Sequence, residues 1–169
     1  YGGDLGDPAG AIFEPGLLKA DHIIAISENT RNDIIDVYRI APDRISVVPL
    51  AVDADMQPAS DASIATVRAR YRLDRPYLLY TGTFFEHKNV DWLVRCYSQA
   101  FANQPDRPQL LLTGPPVPRS EEIMELAQTL ELAEDIRYLG YVPRDDLPAL
   151  MTAAVAYVFP SLYEGFGLS

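Results

Sequence analysis

The sequence has few of the residues that could crosslink the chain, bind a metal or attract a polyanion. It contains one cysteine, Cys96, and two histidines, His22 and His87. A lone thiol cannot form an intrachain disulfide, and no CxxC, HExxH or carboxylate cluster indicates a metal site. The formal net charge is −10, with 14 Lys and Arg against 24 Asp and Glu. Because nucleic-acid binding needs a basic stripe to neutralise phosphates, we exclude a nucleic-acid partner.

Long hydrophobic runs are also missing. No segment approaches the ~20 apolar residues of a membrane-spanning helix. The first residues, YGGD, lack the basic and apolar regions of a secretory signal, and there is no initiator methionine. The single cysteine fits a reducing compartment. We therefore expect a cytoplasmic protein, and we interpret the chain as an internal piece of a longer one.

What the sequence does contain is an alternation of short apolar runs with helical stretches, in a chain of 169 residues with 48% apolar residues. This length can bury one sizeable core. The alternation is typical of a parallel sheet covered by helices on both faces. It predicts strands at 22–26, 44–48, 77–80, 109–112, 136–139 and 155–159, and helices at 28–38, 61–71, 90–101, 121–130 and 145–153.

The stretch at 50–60 has neither helical nor strand periodicity, and we predict an interdomain linker there. Residues 1–49 are then the tail of one Rossmann-like domain, and 61–169 are the first part of a second. The predicted fold class is α/β, with Rossmann-like parallel sheets, present here as a truncated portion. Such partial sheets leave apolar faces uncovered, which would favour self-association of the fragment.

One candidate ligand-binding loop is GTFFEHKN at 82–89, directly after the apolar strand YLLY. Gly82 would let a ligand approach the backbone, and Lys88 at the start of the next helix would bind a diphosphate. His87 could donate to a phosphate when protonated. The alternative for Lys88 is an ordinary solvated side chain at a helix start.

A second candidate loop is FPSLYEGFGLS at 159–169, again just past a strand. Gly165 and Gly167 would expose backbone N–H groups to an anion or to sugar oxygens, and Glu164 could bind a sugar hydroxyl. The alternative is a surface turn with a solvated glutamate. Ligands of parallel α/β folds gather at the carboxyl ends of the strands, so both loops would face one crevice.

The turn after the strand at 136–139 is a third candidate. Tyr141 and Val142 follow Gly140 and could form a platform for a nucleotide base. An ordinary strand-to-helix turn would have the same composition, so the residues alone leave both interpretations open.

Five segments in order give the chain a strong family resemblance: ADHIIAISENTRNDI, RISVVPLAVD, YLLYTGTFFEHKN, IRYLGYVPRDDLPALM and VFPSLYEGFGLS. Together they are spread over the whole run from Ala20 to Ser169. The chain resembles the retaining GT-B glycosyltransferases of family 4, also called group 1, and especially their bacterial mannosyltransferase-like branch.

The resemblance implies roles for individual residues. Lys88 would bind the donor diphosphate and Glu164 the donor sugar hydroxyls, which makes these two the candidate catalytic residues. Gly82 would permit close approach of the phosphates, and Tyr141 with Val142 would contact the base. The backbone N–H groups that complete the donor site would come from Gly165, Phe166, Gly167 and Leu168.

The chain departs from the family pattern at three places that bear on the site. Thr83 and His87 stand where many members have arginines, so phosphate binding would be weaker or pH-dependent. The family's second glutamate, which binds the ribose, would fall eight positions after Glu164 and past Ser169. We therefore expect this fragment by itself to be inactive.

The resemblance also implies an activity for the parent protein. It would move a sugar, with mannose as the candidate, from a nucleotide-diphosphate donor to a glycan or lipid-linked acceptor, without a metal or other cofactor. A peripheral contact with the inner membrane face would come from the acceptor domain. The alternatives are another GT-B enzyme, such as a nucleotide-sugar epimerase or a trehalose-phosphate synthase, and a non-catalytic module that binds a nucleotide sugar or a protein.

Overall fold

A computed structural model describes residues 15–54 and 56–167 of the chain. These residues form two compact units. The first unit contains the described residues up to Val52 and those from Glu164 onward, and the second contains those from Asp53 to Tyr163. Within the described residues, no helix is both long and apolar enough to span a bilayer.

The first unit is built on two short parallel strands, β1 (Ile23–Ala25) and β2 (Ile45–Val47), with helix α1 (Glu28–Tyr38) between them. Residues 15–19 are also helical, and a 3₁₀ turn (Pro42–Arg44) leads into β2. The side chain of Ser27 accepts a hydrogen bond from the Thr30 N–H (3.1 Å), which makes Ser27 the N-cap of α1. The unit's small core consists of Ile23, Ala25, Ile34, Ile40 and Ile45.

The second unit is a four-stranded, fully parallel sheet with the order β5-β4-β3-β6. Its strands are β3 (Tyr77–Thr81), β4 (Gln109–Thr113), β5 (Ile136–Gly140) and β6 (Ala156–Tyr157). Its helices are α2 (Asp61–Tyr71), α3 (Val90–Phe101), α4 (Pro118–Thr129) and α5 (Leu147–Ala153). The α/β fold class predicted from the sequence is confirmed.

The sheet carries a hydrophobic core on each face, because successive side chains of a strand point to opposite sides. Leu110 and Leu112 of β4 pack with α3 and α4 on one face. Leu111, between them, packs with α2 and α5 on the other. All five residues of β4 are buried, as expected of a central parallel strand. The apolar runs therefore specify a sheet that is covered on both sides.

Several elements differ from their predicted bounds. Each strand differs by one or two residues at an end, and the helix predicted at 121–130 begins three residues earlier, at Pro118. The strand predicted at 155–159 is reduced to Ala156–Tyr157, because the chain turns away towards Pro160 after the Val158 N–H bonds to Leu79 O (2.8 Å). The helix predicted at 145–153 begins at Leu147, after a 3₁₀ turn (Arg144–Asp146). The carboxylate of Asp146 is not solvated at a helix start but is buried against helix α2.

Candidate functional site

Three adjacent strands of the second unit carry a glycine at or just past their carboxyl ends. Gly82 follows β3, Gly114 follows β4, and Gly140 ends β5. The Gly82 N–H donates to Thr113 O (3.0 Å), and the Gly114 N–H donates to Gly140 O (3.0 Å). The ladder thus continues through the glycines, so this edge of the sheet presents backbone rather than side chains. Such an edge is where ligands of parallel α/β sheets bind.

Gly114 is the most constrained of the three glycines. A Cβ atom there would overlap the carbonyl oxygen of Gly82 and would lie 3.2 Å from the ring of Phe84. At Gly82, by contrast, an added Cβ would meet the end of the Tyr80 side chain, with the hydroxyl oxygen at 3.0 Å. Gly114 therefore permits the close approach of the loops that follow β3 and β4.

Two buried aromatic side chains stabilise the loop after β3. The Tyr80 hydroxyl donates to Thr83 O (2.6 Å), and Phe84 is buried in the core. Phe85 and His87 are exposed, with their rings stacked at 6.1 Å. Lys88 is the last residue of a 3₁₀ turn (Glu86–Lys88), and helix α3 begins two residues later, at Val90. Gly82, Thr83, His87 and Lys88 thus belong to one structured loop.

The loop after β6 is joined to the loop after β3 by three interactions. The Leu162 N–H donates to His87 O (2.8 Å), and Asn89 Nδ2 donates to Pro160 O (3.3 Å). The Nζ atom of Lys88 lies 5.2 Å from the centroid of the Phe159 ring. The structure therefore brings Lys88 to the start of the second predicted loop.

The turn after β5 separates the two residues that were predicted to contact a base. Tyr141 is 72% exposed, whereas Val142 is 5% exposed and packs into the core formed with α2 and α5. The ring of Tyr141 is available to a ligand, and Val142 can offer only backbone groups. This turn follows β5 and the loop that carries Lys88 follows β3. Both strands belong to the same sheet, with β4 between them.

Glu164, Gly165, Phe166 and Gly167 belong to the first unit. There the Ser27 hydroxyl donates to Gly165 O (2.5 Å), and the Thr30 hydroxyl also donates to it (3.3 Å). Gly167 has a φ of 84°, which favours glycine, and Phe166 is 38% exposed. Leu168, which was also predicted to bind the donor, lies outside the described residues.

A buried carboxylate fixes the turn that follows Tyr141. Asp146 accepts hydrogen bonds from Arg70 Nη1 (2.5 Å) and from the Tyr71 hydroxyl (2.7 Å), both at the end of α2. Burial alone would raise the pKa of Asp146, but the hydrogen bonds from Tyr71 and Arg70, together with the charge of Arg70, outweigh burial and lower it. The carboxylate is therefore ionised at neutral pH and anchors the turn that follows Tyr141 to the end of helix α2.

The sequence predicted no role in the site for three residues of this region, Gly114, Asn89 and Phe159, although the last two lie at the ends of the two predicted loops. Gly114 directly follows a buried strand, as Gly82 does, and that parallel was the signal available. Asn89 stands where a helix is about to begin and has a left-handed backbone (φ 56°), which asparagine tolerates better than most residues. Phe159 carried no signal, since its role depends on the position of Lys88.

Among the residues that the structure describes, no group of three or more His, Cys, Asp and Glu side chains could hold a metal ion. Whether the reaction needs a metal stays a prediction.

Two family profiles match the chain in succession. The one described as "Glycosyl transferases group 1" matches residues 65–169, and the one described as "Glycosyltransferase Family 4" matches residues 5–56. The first contains Gly82, Lys88, Tyr141 and Glu164.

Individual proteins give a consistent result. The O-antigen chain mannosyltransferase B of Escherichia coli is 37% identical over 151 residues, which are 89% of this chain and 40% of that protein. The sucrose-phosphate synthase of Thermosynechococcus elongatus has a TM-score of 0.75 at 24% identity, over 99% of this chain and 42% of that one. Anabaena Alr3699/HepE in complex with UDP-glucose has a TM-score of 0.75 at 17% identity, over 96% and 46%. The chain thus spans less than half the length of each.

Proposed function

Because the chain belongs to the group 1 glycosyl transferases, we propose that the protein transfers a sugar from a nucleotide-diphosphate donor to a glycan or lipid-linked acceptor. We further propose that the anomeric configuration is retained and that the sugar is mannose. The mannose proposal is supported by the 37% identity with the O-antigen chain mannosyltransferase B. The nucleotide-sugar donor is supported by the UDP-glucose complex of a protein with the same fold.

The observation that carries this proposal is the position of Lys88. Its ammonium group lies beside the loop that follows β6, next to a sheet edge made of glycine backbone. A diphosphate can approach such an edge closely, and a cation at that point attracts it. The position of Lys88 beside the glycines supports a donor diphosphate site in the second unit.

In the proposed reaction, the bond between the sugar C1 and the diphosphate oxygen breaks, and a bond between C1 and an acceptor hydroxyl oxygen forms. The hydroxyl proton leaves with the diphosphate or passes to solvent. Negative charge grows on the diphosphate as the first bond breaks, so the Lys88 ammonium stabilises the transition state more than the ground state. Protonation of the leaving group is then not required.

The other site residues are proposed to hold the donor. The exposed ring of Tyr141 would stack on the base, with Val142 contributing backbone groups. The carboxylate of Glu164 would bind sugar hydroxyls, and the N–H groups from Gly165 to Leu168 would surround the donor. Gly82, Thr83 and His87 would line the phosphates.

The test is a screen of nucleotide sugars in two assays. The first measures binding of each donor to the chain of residues 1–169 by titration calorimetry. The second measures transfer to oligosaccharide acceptors by the full-length protein, with product analysis. We expect a nucleotide-diphosphate sugar to bind in the first assay and its sugar to be transferred only in the second, since the chain spans 40% of its curated relative.

Each alternative has its own outcome in these assays. A changed sugar without transfer would instead indicate an epimerase. Binding without any reaction of the full-length protein would indicate a non-catalytic module. Transfer that survives removal of divalent cations by EDTA would support a reaction without a metal cofactor.

The proposed location of the protein is the cytoplasm, at the inner membrane face when the acceptor is lipid-linked.

A further inference from the structure

We infer that Phe159 and Asn89 are positioning residues that hold the Lys88 ammonium where the donor diphosphate binds. This inference rests on the proposed role of Lys88 and adds to it the two side chains that fix its geometry. Neither residue was singled out by its type or spacing in the sequence. The three residues come from two loops that the sheet brings together.

Phe159 provides a rigid face for the ammonium. Lys88 Nζ lies 5.2 Å from its ring centroid, within the range of a cation–π interaction. The ring stacks on Tyr157 with a centroid separation of 6.2 Å and an angle of 20°. The Tyr157 hydroxyl is in turn hydrogen-bonded to Thr81 Oγ1 (2.8 Å). The ring is therefore fixed relative to the ends of β3 and β6.

Asn89 fixes the backbone on which Lys88 is carried. Its φ of 56° ends the 3₁₀ turn and starts α3, and its N–H donates to Glu86 O (2.9 Å). Its side-chain amide donates to Pro160 O (3.3 Å), next to Phe159. Asn89 thus ties the residue after Lys88 to the residue after Phe159.

The physical effect is preorganisation. A lysine side chain loses conformational freedom when it binds a phosphate, and a ring that already orients the ammonium reduces that loss. A ring face cannot accept directional hydrogen bonds as phosphate oxygens do, so it orients the ammonium without replacing the phosphate. A cation–π contact at an exposed site contributes about 0.5–1 kcal/mol, which corresponds to about a two- to five-fold change in affinity.

The chain allows a direct test, because its only lysines are Lys19 and Lys88. With lysine labelled by ¹³C at the ε carbon, NMR gives two sets of signals, and a Lys19→Arg variant identifies them. We expect the ε protons of Lys88 to be shifted upfield by the ring current of Phe159, relative to the exposed Lys19. Phe159→Leu should abolish the shift, and Phe159→Tyr should keep it. Equal shifts in Phe159→Leu and the wild type would overturn the inference.

A second experiment measures binding of inorganic pyrophosphate to the same variants. We expect the dissociation constant to rise about two- to five-fold in Phe159→Leu and to return to the wild-type value in Phe159→Tyr. Asn89→Gly keeps the left-handed backbone but loses the side-chain hydrogen bond to Pro160 O. It should therefore weaken binding less than Asn89→Ala, which disfavours that backbone and also loses the hydrogen bond. Phe101→Leu is the control for loss of a phenylalanine ring, since that ring packs against Tyr97 within the core.

The outcomes separate this inference from the proposed function. Unchanged or tighter pyrophosphate binding in Phe159→Leu would show that the ring does not position Lys88 for phosphate, and would overturn the inference. If Lys88→Ala binds pyrophosphate as well as the wild type does, and the wild type shows the ring-current shift of Lys88, the proposed role of Lys88 in phosphate binding is wrong. Thermal unfolding of every variant distinguishes these results from loss of fold.

Discussion

Gly114 determines how closely two site loops can approach each other. Its Cα faces the carbonyl of Gly82 at a separation that leaves no room for a methyl group. Gly140 is limited in a different way, because its surroundings are open but its φ is 72°. One position therefore requires glycine for space and the other for backbone conformation.

Gly114→Ala should destabilise the protein by more than about 1 kcal/mol and should weaken donor binding, because the loop after β3 must move to accept the methyl group. Thermal unfolding and donor titration measure the two effects. Gly16→Ala is the matched control, since no atom lies within 4 Å of the added Cβ. If Gly114→Ala were as stable as Gly16→Ala and bound donor equally well, the close approach would not matter.

If Lys88 acts as proposed, Lys88→Ala should lower the kcat of sugar transfer by about 10²–10³-fold, or about 2.7–4 kcal/mol, since it removes the charge proposed to stabilise the leaving diphosphate. Lys19→Ala removes the other lysine and should leave kcat unchanged. Steady-state kinetics of the full-length protein with saturating donor provides the measurement. Turnover by Lys88→Ala at the wild-type rate would show that the leaving-group charge is stabilised elsewhere.

Among the elements, helices α1 and α2 begin in similar ways but differ in what their caps contact. Ser60 accepts a hydrogen bond from the Ser63 N–H (3.2 Å), and its hydroxyl lies 3.0 Å from that of Ser63. Ser27 caps α1 similarly and also donates to Gly165 O, the residue after Glu164. The cap of α1 therefore has a second function in its unit, which is to hold a segment of the second predicted loop.

Ser60→Ala should cost about 1 kcal/mol of unfolding free energy, as the loss of an N-cap usually does. Ser27→Ala should cost more, about 1.5–2.5 kcal/mol, because the hydrogen bond to Gly165 O is lost in addition. Urea unfolding monitored by circular dichroism gives both values. Equal losses in the two variants would mean that the bond to Gly165 contributes nothing to stability.

The elements could be predicted from the sequence more fully than the contacts between them. The run QLLL at 109–112 predicted β4, and the helical stretch at 28–38 predicted α1, because both signals are local. The burial of Asp146 could not be predicted, since its partner Arg70 lies 76 residues away. The contact between Lys88 and Phe159 could not be predicted for the same reason, because it depends on the pairing of β3 with β6. The residue roles of the donor site stay predictions.

At the scale of the whole chain, two buried carboxylates make stability depend on pH. Asp135 accepts hydrogen bonds from Arg75 Nη2 (2.8 Å) and Arg107 Nε (2.9 Å) at the amino end of β5. Burial would raise the pKa of Asp135, but the hydrogen bonds and charges of Arg107 and Arg75 lower it, as they do for Asp146 with its own partners. Each carboxylate is therefore ionised in the folded state over a wider pH range than in the unfolded chain.

Asp135→Asn should reduce stability at pH 7 by about 1–3 kcal/mol, because hydrogen bonds to a charged group are lost. Because the pKa of Asp135 is lower in the folded protein than in the unfolded chain, its contribution to the free energy of unfolding is complete above the unfolded-state pKa, which is about 3.9 for aspartate. The contribution disappears as the pH falls through the folded-state pKa. The difference from the wild type should therefore narrow in unfolding curves recorded below about pH 4.

The exposed Asp106→Asn is the control for Asp135→Asn and should behave as the wild type at both ends of this range. A stability difference for Asp135→Asn that stayed constant with pH would mean that the charge of its carboxylate contributes nothing.

The strand order also constrains when the candidate site can form during synthesis. Strand β3 pairs with β4, whose first residue follows that of β3 by 32 positions, but it pairs with β6 through Leu78 and Ala156, which are 78 positions apart. Closing the longer loop costs more entropy and must wait until residue 157 has left the ribosome. A nascent chain released before that point would contain Lys88 without Phe159. The proposed phosphate-binding geometry would therefore be among the last features of this sheet to appear.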